Sequence, residues 1–137
     1  MPDPDEEIPE PVPHPPRVDG ALMVAFGVVH PGREGLAVDT FTEVSRFFGQ
    51  LLANDVISRF QPFFFADGQR DGTSGFFILE GSRARLDELR RDEEFVRVIL
   101  RAGAATAHMR VHTLVAGSEA GRLVNLYREV RSELGLL

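Results

Sequence analysis

The chain has 137 residues, of which 43% are hydrophobic and 26% are charged, so it can form one globular domain with an apolar core. It contains no cysteine, which excludes disulfides, thiolate zinc sites, iron–sulfur clusters and cysteine nucleophiles. The net charge of −6 divides into −5 over residues 1–20 (six acids and one arginine) and −1 over the rest (15 acids and 14 arginines), a near-neutral body that argues against a nucleic-acid partner.

The first residues are acidic and rich in proline. Seven of the nine prolines lie between Pro2 and Pro16, and such a stretch cannot form a ladder or bury apolar area. We predict a disordered or polyproline-like tail over residues 1–18 and a single domain over residues 19–137. This start is the reverse of a secretory signal, and no window approaches the ~18 apolar residues of a membrane helix. We therefore expect a cytoplasmic protein with no membrane partner.

A strand and a long helix open the predicted domain. Leu22–His30 is rich in small and β-branched residues and is followed by the turn signal Pro31-Gly32. Arg33–Asn54 has apolar residues at three- and four-residue steps along one face, which predicts a helix. A capping-box pattern at Thr40 leaves open a later helix start.

A hairpin rich in phenylalanine follows. Six of the eleven phenylalanines lie in the predicted strands Arg59–Ala66 and Ser74–Glu80. Consecutive aromatic residues point to both faces of a sheet, whereas an antiparallel sheet with one wet face would alternate apolar and polar residues. The helices of one small domain cover only one face, so a partner chain or a ligand is expected on the other. The aromatic residues expected on that second face are either Phe64 with Phe76 or Phe63 with Phe77, beside Phe26 and Val28.

The last third of the chain contains two helical regions and one strand. Ser82 is expected to cap a helix that breaks at Arg91-Asp92, where Asp92 caps a second segment that continues towards Ala105. Ala107–Ala116 is the final predicted strand, and a terminal helix with a single apolar stripe begins after Gly117-Ser118.

The predicted order, β-α-β-β-α-β-α, is a ferredoxin-like α+β unit with a four-stranded antiparallel sheet and an extra C-terminal helix. Over roughly Leu22–Ala116 the chain resembles the dimeric α/β-barrel proteins, most closely small bacterial members without an assigned function. The segments that carry the resemblance are Pro31-Gly-Arg-Glu34, Gly75–Gly81 and Leu86–Phe95. It implies a homodimer that forms through the sheet face. The His-Asp pair of YCII-like members and the Asn–Trp–His set of haem-degrading monooxygenases are not found, so those activities do not carry over.

Polar side chains alternate with apolar ones on the last predicted strand. His108, Arg110 and His112 are expected to share one face. The expected strand order places His30, at the end of the first strand, near His108. It also places Glu80 at the end of the third strand, which we expect to run parallel to the first. His30, His108 and Glu80 are then expected to meet at one rim of the sheet if their side-chain parity agrees.

Three interpretations of these candidate residues remain open. His108 and His112 lie about 13 Å apart along a strand, too far to share one zinc ion, whereas His30, His108 and Glu80 could bind one if they meet. In acid–base catalysis a histidine would transfer protons, Glu80 would orient it or abstract a proton, and Arg110 would hold a carboxylate or an enolate-like oxygen. The preferred interpretation is that these residues make interface hydrogen bonds or contact solvent, and we predict neither a metal nor a cofactor.

The leading functional hypothesis is a dimeric α/β-barrel protein that binds a small apolar or carboxylate-bearing molecule between the sheets. The first alternative is a cofactor-independent monooxygenase-like or isomerase-like enzyme that uses His30, His108 or His112 with Arg110. The second is a protein-interaction module that acts through the acidic proline-rich tail. Whether the protein is an enzyme is left open.

Overall fold

The computed structural model describes residues 18–136. The predicted tail therefore lies outside the described residues except for Val18. The elements in chain order are β1 (Gly20–Phe26), α1 (Glu34–Ala53), β2 (Arg59–Phe64), β3 (Gly75–Gly81), α2 (Arg83–Arg91), α3 (Glu93–Ala105), β4 (Arg110–Val115) and α4 (Gly117–Glu133). No helix within residues 18–136 is long and apolar enough to cross a membrane.

The four strands form one antiparallel sheet in the order β2-β3-β1-β4, which confirms the predicted ferredoxin-like α+β fold. The expectation that β3 runs parallel to β1 was wrong, because Ala21 pairs with Glu80 in an antiparallel ladder. The reason is topological: α1 is a crossover that makes β2 parallel to β1, and the β2–β3 hairpin then reverses the direction.

Helices α1, α2 and α3 cover one face of the sheet and enclose the core. The sheet contributes Leu22 and Val24 from β1 and Phe77 and Leu79 from β3, all at most 2% exposed. The helices contribute the buried side chains of Val44, Phe47, Phe48, Leu86, Leu89, Phe95, Val98 and Ala102. All these sheet residues are two positions apart along their strands, which is the period that places side chains on one face.

Helix α1 agrees with the predicted Arg33–Asn54 to within one residue at each end. The later start left open at Thr40 was wrong, since the Thr40 hydroxyl donates to the carbonyl of Leu36 at 2.7 Å inside the helix. Strands β1 and β4 are each shorter than predicted at the end where they meet. Their extensions still bond there, with the Gly27 amide donating to the carbonyl of Ala107 at 2.6 Å. A Cβ at Gly27 would lie 2.6 Å from that carbonyl oxygen, so this close approach requires glycine.

The break between α2 and α3 follows the prediction from sequence. Ser82 accepts a hydrogen bond from the amide of Arg85 at 3.5 Å, and Asp92 accepts one from the amide of Phe95 at 3.1 Å. The backbone of Asp92 is extended, with φ −65° and ψ 131°, so this residue both ends α2 and caps α3.

The Asp92 cap yields a stability prediction. We expect Asp92→Ala to lower the free energy of unfolding by about 1 kcal/mol, because the α3 amide loses its side-chain acceptor. Urea denaturation would measure this. Asp87→Ala is the control, since it removes only an exposed ion pair with Arg83 at 3.7 Å and should cost less than about 0.5 kcal/mol. Equal losses in the two variants would contradict the capping role.

The sheet face away from α1, α2 and α3, here called the open face, carries a cluster of apolar side chains. Phe63 lies directly across from Phe76, and their rings stack at 5.3 Å with an interplanar angle of 25°. Both pairings expected from the sequence were wrong, because Phe64 and Phe77 point to the helix-covered side instead. The apolar side chains on or beside the open face are Met23, Phe63, Phe65, Phe76, Ile78 and Leu114.

Helix α4 does not cover the open face. None of its residues is buried, and its apolar stripe is exposed, from 42% at Leu126 to 61% at Tyr127. Within the helix, Arg122 donates to Glu119 at 2.6 and 3.2 Å, and this hydrogen bonding holds the pKa of Glu119 below its ordinary value. The chain therefore has two apolar surfaces, the open face and the α4 stripe, that its described residues leave uncovered.

Candidate functional site

A cavity of about 490 Å³ lies between α1, α3 and the helix-covered side of the sheet. Four phenylalanine rings line it, and the centroids of neighbouring rings are 5.3 to 6.1 Å apart. These rings belong to Phe26, Phe41, Phe64 and Phe77. The remaining wall is mainly aliphatic and comes from the facing sides of the two helices and from β1 and Met109.

The cavity exists because small side chains stand where large ones would fill the space. Ala37 on α1 and Ala102 and Ala105 on α3 all line it. Beside the cavity, α1 and α3 are joined by an ion pair between Glu43 and Arg101 and by a hydrogen bond from Arg33 to the carbonyl of Ala104. These contacts connect the two helices beside a space that the small residues leave unfilled.

The polar groups of the cavity wall are few, and most have their proton engaged. The hydroxyls of Thr40, Thr42 and Thr106 donate to the carbonyls of Leu36, Val38 and Ala102 at 2.7, 3.0 and 3.0 Å. Within residues 18–136, Glu34 is the one ionisable residue of the lining. Among the described residues its carboxylate makes no ion pair, since the four pairs found involve other acids.

The candidate residues named from the sequence lie elsewhere. Arg110, His112 and Glu80 are on the open face. Their cross-strand partners on β1 are Ala25, Met23 and Ala21, respectively. None of them lines the cavity, and neither His30 nor His108 does.

The expected meeting of His30, His108 and Glu80 does not occur. Glu80 pairs with Ala21, near the start of β1, whereas His30 follows the far end of that strand. The five residue steps from Ala21 to Phe26 alone separate the two ends by about 16 Å. Within residues 18–136 no three His, Asp or Glu side chains are close enough together to hold a metal ion.

His108 does not share the alternation of Arg110 and His112. It precedes β4 and has a φ of 56°, in the left-handed region that a non-glycine residue rarely adopts. Arg110 donates to the carbonyl of His108 at 2.9 Å and to the hydroxyl of the buried Thr73, which fixes the guanidinium at the rim of the open face. Arg110 and His112 thus remain on one face, as predicted, and His108 does not join them.

Sequence reasoning missed the cavity because it depends on what packing leaves empty. Phe41 lies on the apolar side of α1 and Ala102 on that of α3, and both line the cavity. The sequence contains one relevant signal, namely small residues on two helices that pack on a sheet rich in phenylalanine. This signal predicts a cavity only when the spacing of the helices is known.

Comparison with known proteins gives the fold. No family model matches the chain, and no curated protein matches it. A mutant of SnoaB, described as a cofactor-independent oxygenase from Streptomyces nogalater, is similar with a TM-score of 0.53 and 13% identity, covering 72% of this chain and 93% of that one. A dimeric ferredoxin-like protein of unknown function from Jannaschia sp. CCS1 is similar with a TM-score of 0.51 and 11% identity, covering 72% and 97%. The chain thus has a ferredoxin-like α+β fold.

Proposed function

We propose that the protein binds a small, mainly apolar molecule in the cavity between α1, α3 and the sheet. The observation that carries this proposal is the cavity itself: about 490 Å³, within the roughly 300–1,000 Å³ common for small-molecule sites, with a mainly apolar wall and few polar groups. From the sequence we expect the ligand between two sheets, on the opposite side of this sheet. The cavity lies on the helix-covered side instead, so the proposed site differs from that expectation.

The aromatic lining favours a ligand with a flat ring system. Phe26, Phe41, Phe64 and Phe77 offer both faces and edges to the cavity, since their interplanar angles range from 34° to 66°. A planar aromatic ligand can make stacked and edge contacts with such rings beyond the burial of its area.

The binding proposal can be tested with a neutral aromatic probe. N-phenyl-1-naphthylamine fluoresces more strongly in apolar surroundings, and we expect a saturable rise in its emission with one site per chain. The absence of saturable binding by this probe, in protein that is folded by circular dichroism, would contradict the proposal.

We further propose that the protein is a homodimer in which two open faces meet. This face has six large apolar side chains, of which Phe63 is 40% exposed and the other five are half-buried. A partner chain over such a cluster would remove it from water. Helix α4 leaves this face uncovered. The similar protein from Jannaschia is described as dimeric, which supports the same assembly here.

A cofactor-independent oxygenase or isomerase is the second candidate function. The similarity to SnoaB favours it, since that protein is described as an oxygenase that needs no cofactor. The residues proposed for such chemistry are Arg110 and His112, which share the open face, whereas His30, His108 and Glu80 are candidates that do not form one site with each other. In the oxygenase case a ligand retained on purification should be consumed with oxygen uptake, and His112→Ala should slow that uptake.

The third hypothesis concerns the acidic proline-rich tail as an interaction element, and it falls on residues outside those described. Deleting residues 1–17 should leave binding of the aromatic probe unchanged, because the described lining of the cavity runs from Val24 to Met109. A parallel loss of probe binding would connect the tail to the cavity.

A further inference from the structure

We infer that the cavity selects ligands whose polar end donates hydrogen bonds, as an ammonium or hydroxyl group does, and rejects ligands that end in a carboxylate. The inference rests on the proposed function and specifies the ligand class of the same cavity. The sequence leaves open whether the ligand is apolar or bears a carboxylate, and this inference excludes the carboxylate.

The side-chain hydrogen-bonding groups of the described cavity wall are mainly acceptors. A threonine hydroxyl has one proton, and those of Thr40, Thr42 and Thr106 are already donated to helix carbonyls. Each of these oxygens can therefore only accept from a ligand. The carboxylate of Glu34 also only accepts when it is charged. The Ser74 amide donates to the carbonyl of Phe26 at 2.8 Å. The Ser74 hydroxyl is the one side-chain donor of the described lining that makes no described hydrogen bond.

The charge at the cavity wall is negative. Among the described residues Glu34 lines the cavity and no arginine or histidine does. Arg101 pairs with Glu43, and Arg33 donates to the carbonyl of Ala104. A ligand carboxylate in the cavity would thus meet Glu34 with no cation in the described lining, whereas an ammonium group would gain an ion pair.

The position of Glu34 sets the distance between the polar and apolar parts of the ligand. Glu34 and Phe41 both line the cavity and are seven residues apart on α1. Two helical turns separate them by about 10 Å along the axis and place them on the same side. The ligand that fits has an aromatic body against the phenylalanine rings and a donor group up to about 10 Å from Phe41, towards the start of α1.

Three ligands with one aromatic body test this inference: 1-naphthylmethylamine, 1-naphthalenemethanol and 1-naphthoate. Their affinities would be measured by displacement of N-phenyl-1-naphthylamine at low ionic strength. We expect the amine to bind roughly three- to tenfold more tightly than the alcohol, since the Glu34 carboxylate is exposed and its attraction is screened. We expect the carboxylate to bind at least roughly tenfold more weakly than the alcohol.

A matched pair of variants separates Glu34 from general charge effects. Glu34→Gln should bring the amine to the affinity of the alcohol and change the alcohol by less than about twofold. Asp39→Asn makes the same charge change on α1 at an exposed residue that does not line the cavity, and it should preserve the preference for the amine.

The outcomes distinguish the inference from the proposed function. Naphthoate binding as tightly as the alcohol would overturn the inference and leave the cavity as a binding site. Equal effects of Glu34→Gln and Asp39→Asn on amine binding would also overturn it, as would failure of all three ligands to displace a probe that binds. Failure of the probe itself to bind would instead remove the proposed function.

Discussion

Replacement of Ile78 by aspartate is expected to convert the proposed dimer to a monomer. Ile78 is half-buried near the centre of the open face, with Gln61 and Met23 as its cross-strand neighbours. In an isologous interface one substitution places two carboxylates in the contact. An unpaired buried charge costs several kcal/mol, so we expect the dimer Kd to rise at least roughly a hundredfold.

Sedimentation velocity at micromolar concentration would measure this change, with circular dichroism to establish that the variant folds. Val96→Asp is the matched control, because Val96 is 40% exposed on α3, on the far side of the molecule from the open face. It should leave the dimer intact. Met23→Asp is a second variant on the open face that should also dissociate the dimer. A monomeric wild-type protein, or a dimer that survives both open-face substitutions, would contradict the proposed assembly.

Features that depend on local sequence could be predicted. The break at Asp92 follows from an aspartate that can cap a helix before two more acids, and the structure has the cap hydrogen bond. The strand order follows from the sequence of elements together with the handedness of the crossover. The cap depends on residues near one another in the chain, and the strand order depends on a general rule of topology.

Features that depend on register could not be predicted with the same success. Consecutive phenylalanines do not reveal which of them faces the helices, because a shift of one residue moves each side chain to the other face. The length of the hairpin connection selects Phe63 as the partner of Phe76. The error over Glu80 was of another kind, because the direction of β3 relative to β1 follows from the crossover and the hairpin.

The candidate residues and the cavity show the same contrast between features that the sequence predicts and features that it does not. The pairing of Arg110 and His112 on one face follows from the two-residue period of a strand and is present in the structure. The alternation fails at His108, where the backbone adopts a positive φ that no residue type in this segment signals. The cavity lies beyond such reasoning, because it depends on a helix spacing that the contacts of Arg33 and Arg101 help to set.

Filling the cavity is expected to abolish ligand binding without unfolding the protein. Ala102 lines the cavity from α3, and in Ala102→Phe a ring would occupy the space next to Phe41 and Met109. We expect the affinity for N-phenyl-1-naphthylamine to fall at least roughly tenfold, because the aromatic body of the ligand and the new ring would need the same volume. Fluorescence titration measures this loss, and thermal unfolding reports the stability of the variant.

Two further variants make the result decisive. Leu100→Phe adds a ring on the same helix at a residue that is 68% exposed and does not line the cavity, so it should bind the probe with wild-type affinity. Ala37→Phe enters the cavity from α1 and should weaken binding as Ala102→Phe does, which keeps the test valid if overpacking of about 1–3 kcal/mol unfolds one of them. If both cavity variants fold and bind the probe as the wild-type protein does, the ligand does not occupy the space between α1, α3 and the sheet.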